Sequence, residues 1–596
     1  MKKFIILSLV LWIGAVSRPN LSAQNHPLSP AISAADVHSI ISQLASDQWA
    51  GRKPGTAGGD SAAAYIRDYF QSLGLKMLCD NGYQPFSLIT EATAGPGNAI
   101  AINGTPSPAA PVPYSFSTSA TVDAPVVFAG YGFDIATDTL KWNDFDGLDL
   151  KGRWALVLRG DPEPDNTQSA FTAATDERTK VLAARDRGAA GVLLVSGEAW
   201  DKDDKPARVF YDKSNADAGL PVLWISRETA NLLFNESGTT LADAEKQLLA
   251  SRQPVKVRLT ATVKATADVK LNKVATSNVV AMLPGSHPTL SNEYIVVGAH
   301  YDHLGMGGYG SGSRVPDTTA VHNGADDNAS GVAAVMELAG WFAAQKTAPA
   351  RSIIFVAFGA EESGLIGSAW FANHPPVDIA LIKAMLNFDM VGRLNPETLS
   401  LSIGGTGTSV EGETLLKEVL AGSTLKASFS PEGYGPSDHA SFYGKNIPVF
   451  YFNTGVHTDY HTPFDDTDRI NAQGEKLVID LAASLLTRLT QPATTLTFKE
   501  AGVAKRSSMR GLKVTFGIMP DFTSTESKGL GVSGVTPGGP AEKAGLKKGD
   551  RIMAIEGKPI TDIYDYMNRL KKLEKGSRVS VDVLRAGNTQ VFIIEL

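Results

Sequence analysis

Apolar and polar positions follow two different periods along this chain, and the places where the period changes divide it. Between 34 and 95, Ala63, Ile66, Phe70 and Leu73 recur at helical spacing and Gly74 follows as a stop signal, so the block reads as helical. From 96 to 268 short β-rich runs take over, at 124–133, 154–159 and 192–195, with one helical stretch at 179–187. Between 270 and 490, near-continuous Val/Ile/Phe runs at 294–299, 352–358, 384–391 and 448–453 alternate with amphipathic stretches such as 330–343 and 474–489. Runs of that kind predict an α/β domain: a mostly parallel, mixed sheet sandwiched by helices. A polar stretch, 491–508, reads as a linker. The last block, 509–596, shows short strands, a Gly/Pro-rich turn at 536–540 and a helix at 563–573. No internal repeat is evident.

Composition changes this picture little. A chain of 596 residues is too long for one core, and length alone suggests about three or four domains. Hydrophobic and charged fractions of 43% and 20% are those of ordinary globular protein; the net charge of −7 and the lack of a Lys/Arg block argue against nucleic acid as a partner. The N-terminus adds more. Lys2 and Lys3 precede an apolar run, 4–16, and then Leu21-Ser22-Ala23, which together read as a secretory signal peptide over 1–23. The run is shorter than the roughly 20 residues a span needs, and no later segment is long and apolar enough, so the expected product is secreted or periplasmic with no transmembrane segment. Cys79 is the only cysteine, which excludes an intramolecular disulfide.

Candidate chemistry gathers at the carboxyl ends of the expected strands, where open α/β sheets bind ligands. The run 294–299 leads into His300-Tyr301-Asp302; Asn323 to Asn328 precedes a helix; 352–358 leads into Glu361-Glu362; Asp389 lies in 384–391; and Tyr460-His461 follows 448–453. Carboxylates converging on one sheet edge repel unless a cation compensates them, and imidazole with carboxylate is a donor set suited to zinc. His303 and His322 are expected to be structural or to support the ligands. Ser437-Asp438-His439 cannot form a relay from three consecutive residues and is expected to wall the substrate pocket. The motif His-Glu-x-x-His is absent.

These residues resemble the co-catalytic dizinc aminopeptidase family, which includes secreted bacterial leucine-type aminopeptidases, the glutamate carboxypeptidase branch and the glutaminyl cyclases. The resemblance covers 34–95 and 270–490. It rests on Gly298-Ala299-His300-x-Asp302, the run His322 to Gly331, Glu361-Glu362, Tyr460-His461-Thr462-Pro463 and Gly51-Arg52-x-Pro54-Gly55-Thr56. It implies two Zn²⁺ ions per chain: Asp327 bridges both, His300 and Asp389 complete one site, and Glu362 and His461 the other. It further implies catalysis by a dizinc-bound hydroxide with Glu361 as general base, and Asp302 holding the ring of His300. Tyr460 is a candidate oxyanion donor or, equally, a packing aromatic. Three carboxylates and a shared hydroxide bring two zinc ions close to neutrality.

Residues 96–268 resemble an inserted protease-associated domain, through Val127 to Gly132 and Lys180 to Val192, and are expected to shape the substrate site. Residues 509–596 resemble a PDZ domain, through Gly529 to Val532 and Gly539 to Asp550. Such a groove binds an extended peptide and its terminal carboxylate, with 516–519 standing where the carboxylate loop belongs. The expected activity is removal of N-terminal residues from peptides, with surplus carboxylates such as Asp326 favouring a cationic substrate end. A carboxypeptidase or dipeptidase is the alternative, then a glutaminyl cyclase; a non-catalytic peptide-binding protein is the reading from another class.

Overall fold

The computed structural model describes residues 31–596 except 138–139, 167–168, 172–173, 212–216, 502–513, 522–527 and 537. The expected signal segment, 1–23, lies outside the described residues, as does 502–508 of the expected linker.

Strands Ser352–Phe358, Tyr294–His300, Ile382–Phe388 and Val449–Asn453 lie side by side and parallel at the centre of the largest sheet. Their side chains alternate between two cores, which is why the sequence shows no polar face. Ile295, Val297, Ile353, Phe355, Ala384 and Leu386 pack under helices Ala34–Leu44, Ala57–Ser72, Gly331–Ala343 and Ala472–Leu489. Val296, Ile354, Val356 and Met385 face the opposite core with Phe371 and Phe442, from helices Ile366–Asn373 and His439–Tyr443. The outer pairings are antiparallel: Val269–Leu283 on Ser352–Phe358, and Ser400–Gly404 on Val449–Asn453.

One expectation is corrected here. The block 34–95 is not helical throughout: after Ala57–Ser72 the chain forms strand Tyr83–Ala94, antiparallel to Val269–Leu283. Gln84, Phe86 and Leu88 are buried while Pro85 and Ser87 are exposed, a period of two that marks a half-buried strand. Strand Tyr83–Ala94 carries the chain out of this domain and Val269–Leu283 brings it back. The two pair from Tyr83↔Val279 to Ala94↔Val269, so the inserted segment hangs from a single ladder.

The inserted segment builds its own eight-stranded sheet, in which Trp154–Leu158, Gly191–Val195 and Val222–Trp224 are parallel neighbours. Helix Glu177–Arg185 flanks it. The tail forms a third sheet around Arg551–Ile555, with helix Ile563–Leu570. That helix docks on the inserted domain: Arg185 pairs with Asp565 at 2.6 Å, Arg569 with Asp186, and Lys572 with Asp134 at 3.3 Å. Cys79 is free and exposed.

Candidate metal centre

Each predicted donor stands where a strand or turn runs out. His300 is the last residue of Tyr294–His300, and Asp389 follows the end of Ile382–Phe388. Asp327 sits in a kinked turn that opens at Gly324, whose φ is 57°, and leads into Gly331–Ala343. The Asp327–Asn328 peptide bond is cis. His461 adopts a left-handed φ of 56° in the loop after Val449–Asn453.

The structure brings all five predicted ligands together in two groups that share Asp327. His300 Nε2 lies 3.3 Å from Asp327 Oδ1 and 3.7 Å from Asp389 Oδ1. His461 Nε2 lies 3.1 Å from Asp327 Oδ2 and 3.3 Å from Glu362 Oε2. Donor atoms held about 2.0–2.1 Å from one tetrahedral ion stand roughly 3.3 Å apart, so both groups fit zinc in spacing as well as in donor type. Among the described residues two groups have metal-holding geometry: His300, Asp327 and Asp389, and Asp327, Glu362 and His303, the latter with His303 where the prediction has His461. Glu361, Glu362 and His461 are only partly buried, which opens the cluster on one side.

The charge around these atoms is unbalanced without a cation. Burial alone disfavours a charged His300, yet Glu361, Asp327 and Asp389 hold its pKa well above that of an ordinary imidazole. His461 is likewise opposed by burial, but Asp327 and Glu362 carry it up to about 10. Glu361 shows the reverse: burial, with Glu362, Asp438 and Asp389 nearby, outweighs the His300 charge and lifts its carboxyl well above the usual range.

Asp302 departs from expectation. The ring of His300 is held by the Asp302 carbonyl, 3.1 Å from Nδ1, while the Asp302 carboxylate is 3.9 Å away at its nearer approach. That carboxylate instead accepts the amide N–H groups of Glu361, at 2.9 Å, and Glu362, at 3.3 Å. Past the strand end the chain turns, and the Asp302 side chain reaches the neighbouring strand's exit loop. It orients the glutamate pair through their backbone. Tyr460 stacks on His461 with ring centroids 3.8 Å apart, and burial beside Asp327 and Glu362 raises its pKa, so the phenol keeps its proton.

Two further expectations change. Asp438 and His439 are fully buried, His439 stacked on Tyr451 at 4.3 Å, and the Ser437 hydroxyl accepts a bond from Asn387 at 2.7 Å. The segment therefore underlies the cluster and does not wall a pocket. Asp326 is also fully buried; its carboxylate accepts the amide of Gly392 and faces His457 at 3.2 Å, so it is directed away from an incoming substrate. His322 is structural, bonded to Ser313 and to the Ala320 carbonyl.

Sequence reasoning gave no place to Asp465 and Arg393, quoted Arg52 in a motif without a role, and expected His303 to be structural or to support the ligands. Asp465 Oδ2 accepts the amides of Asp326 and Asp327, both at 3.0 Å, and Arg393 ties Asp465 to Asp459 in the loop that carries His461. Arg52 donates to the carbonyls of Leu44, Tyr301, Asn323 and Gly324. His303, buried, lies 2.8 Å from Glu362 Oε1 through Nδ1, so it faces the oxygen of Glu362 turned away from His461. An imidazole there fixes the carboxylate's rotation. Replacing His303 by Ala should weaken metal binding about 10–100-fold, and His303→Asn, whose amide can stand in for Nδ1–H, should restore most of the loss. Chelator competition on the purified protein reads this directly.

Residues 278–486 match the model for peptidase family M28, residues 122–233 that for the PA domain, and residues 517–596 that for a PDZ domain. The chain is similar to leupeptin-inactivating enzyme 1 of Streptomyces exfoliatus, 34% identical over 173 residues, 29% of this chain and 34% of that protein. It is similar to an aminopeptidase of Pseudomonas aeruginosa, 27% identical over 369 residues, 60% of this chain and 56% of that protein. It thus spans about a third to a half of these curated relatives. Among solved structures, the aminopeptidase from Aneurinibacillus sp. strain AM-1 aligns at a TM-score of 0.46 and 23% identity, over 80% of this chain and 98% of that one.

Proposed function

We propose, from the match of residues 278–486 to peptidase family M28 beside PA and PDZ domain matches, that the chain is an exported zinc aminopeptidase with two metal ions in one site. The observation that carries this reading is the pair of donor groups meeting at Asp327, with Glu361 beside them and outside both. In the proposal His300 and Asp389 hold one zinc, Glu362 and His461 the other, and Asp327 both. The curated relatives' names, an aminopeptidase among them, point the same way. Export rests on the charged and apolar N-terminus; among the described residues no helix is long and apolar enough to cross a membrane.

Zinc, when bound, supplies Lewis-acid polarisation and a water of lowered pKa. The remaining work falls to the chain. Glu361 takes a proton from the attacking water and delivers it to the leaving amine, a role its place beside both donor groups and outside them suits. Its carboxylate reaches within 4.0 Å of His300 Nε2, at the mouth of the cluster. The protonated phenol of Tyr460 donates to the carbonyl oxygen as charge develops there. Asp302 keeps the two glutamates aimed by gripping their amides.

Polarity of cleavage is tested on one good peptide in two forms. The aminopeptidase reading requires a free α-amine, so acetylating the N-terminus should lower kcat/KM about a hundredfold. Mass spectrometry of a mixed peptide set then shows which end shortens. Full activity on the acetylated peptide, with residues lost from its carboxyl end, would replace this reading with the carboxypeptidase one.

A further inference from the structure

Where the inserted domain, the tail and the metal-bearing domain meet, they line a cavity of about 670 Å³ that is open to solvent on one side. That is within the range of built ligand sites, and its walls combine aromatic rings with charged side chains of both signs, the acids Asp176, Glu177 and Asp201 against Arg159, Arg178, Lys205 and Arg208. Phe116 and Trp200 come from the inserted domain, Tyr564 from the tail helix and Tyr309 from the metal-bearing domain. Trp200 and Tyr309 are 39% and 54% exposed, among the few large aromatics left open to water. Exposed rings gathered on one concavity mark a place where apolar surface awaits a partner.

The charges divide unequally. Arg159 is paired with Glu177 at 2.5 Å, and Arg178 is held between the rings of Phe116, at 4.5 Å, and Tyr564, at 4.3 Å. Arg208, exposed at the cavity, lies over the ring of Tyr309 at 5.1 Å and has no carboxylate partner among the described residues. A guanidinium preorganised on an aromatic face is suited to fork onto a carboxylate.

This cavity is linked to the metal centre by one loop. The Gly312 carbonyl is 3.1 Å from His461 Nδ1, and the Arg314 amide donates to the His461 carbonyl at 2.9 Å. Tyr309 stands three residues before Gly312, so its backbone is no more than about 11 Å away along the chain. A peptide of about six extended residues spans roughly 20 Å, enough to lie at both places.

We propose that the cavity is a distal subsite for the far end of oligopeptide substrates, its rings taking an apolar side chain and Arg208 the terminal carboxylate. The direction in which the peptide lies rests on the aminopeptidase reading.

The test uses the full-length zinc enzyme, an aminoacyl p-nitroanilide, and Leu-(Gly)n-Phe peptides of about two to six residues with free or amidated ends. For free acids, kcat/KM should rise about tenfold once the peptide is long enough to reach Arg208, and amidation should remove that gain at that length alone. Arg208→Gln, at an exposed position, should erase the difference between free and amidated forms. A flat length series, or discrimination that survives in Arg208→Gln, overturns the proposal. Cleavage of the anilide reports on the aminopeptidase reading separately. If the anilide is untouched, a saturable fluorescence change on adding the longest peptide, lost in Trp200→Phe, still supports the subsite; no change overturns it.

Discussion

Replacing Glu361 by Gln should lower kcat by about 10²–10⁴, a loss of roughly 3–5 kcal/mol of transition-state stabilisation, with no loss of bound zinc. The expectation follows from where the adjacent glutamates point. Glu362 places one oxygen 3.3 Å from His461 and the other 2.8 Å from His303, so both sit on the side of the second donor group. Glu361 stands outside both groups, approaching His300 no closer than 4.0 Å. Gln keeps the shape and hydrogen bonds of Glu361 but has no basicity, so the proton has no acceptor at that place. Glu362→Gln should act on the other quantity and lose one zinc, since a neutral amide is a much poorer ligand than carboxylate. Metal analysis after gel filtration, beside kcat, separates the two. Zinc loss in the Glu361 variant with two ions kept in the Glu362 variant would reverse the assignment.

How much of this could be read beforehand depended on how far apart the cooperating residues lie in the chain. His300, Asp389 and the Glu361–Glu362 pair stand at ends of strands whose apolar runs announce themselves, so their convergence on one sheet edge was legible from period alone. Strand Tyr83–Ala94 was not, because Pro85 and the polar Gln84 and Ser87 blur its alternation until Phe86 and Leu88 are seen facing inward. The role of Asp302 was half legible. Its nearness to His300 in sequence suggested a bond to that ring, but its carboxylate serves amides some 60 residues away in sequence, at 2.9 and 3.3 Å. Asp465 has the same character, and for His303 a supporting role was legible but its partner, Glu362, was not. Each acts on a backbone or carboxylate from another segment, and no local spacing encodes such a partner. The docking of the tail helix through Arg185, Asp186, Asp565 and Arg569 is likewise invisible until the sheets are placed.

Arg52 gives the second large effect, and it should appear in stability and in metal affinity together. The residue is fully buried in the turn Asp47–Arg52, which passes so close to the site loops that a Cβ on Gly51 would meet the carbonyls of Gly305 and His322 at 2.5 Å. From there the guanidinium donates to Leu44 at 2.7 Å, Tyr301 at 2.8 Å, Asn323 at 2.5 Å and Gly324 at 2.9 Å. Tyr301 lies between the site residues His300 and Asp302, and Asn323 and Gly324 begin the turn that carries Asp327. Burial lowers the Arg52 pKa to about 10 although Asp327, Asp302, Asp465 and Glu362 oppose that shift, so it is charged at neutral pH and lends positive charge to an acid-rich centre. Arg52→Ala would strand buried carbonyls and remove that charge, at a cost of about 3–5 kcal/mol in unfolding free energy. Arg52→Lys keeps the charge but cannot span the four acceptors with one ammonium, so it should fall between the wild type and Ala. Urea unfolding of the holoprotein, followed through zinc release, measures the first effect, and chelator competition the second. An Ala variant within about 1 kcal/mol of wild type, with unchanged zinc affinity, would mean that these carbonyls find water instead and that Arg52 does not hold the site together.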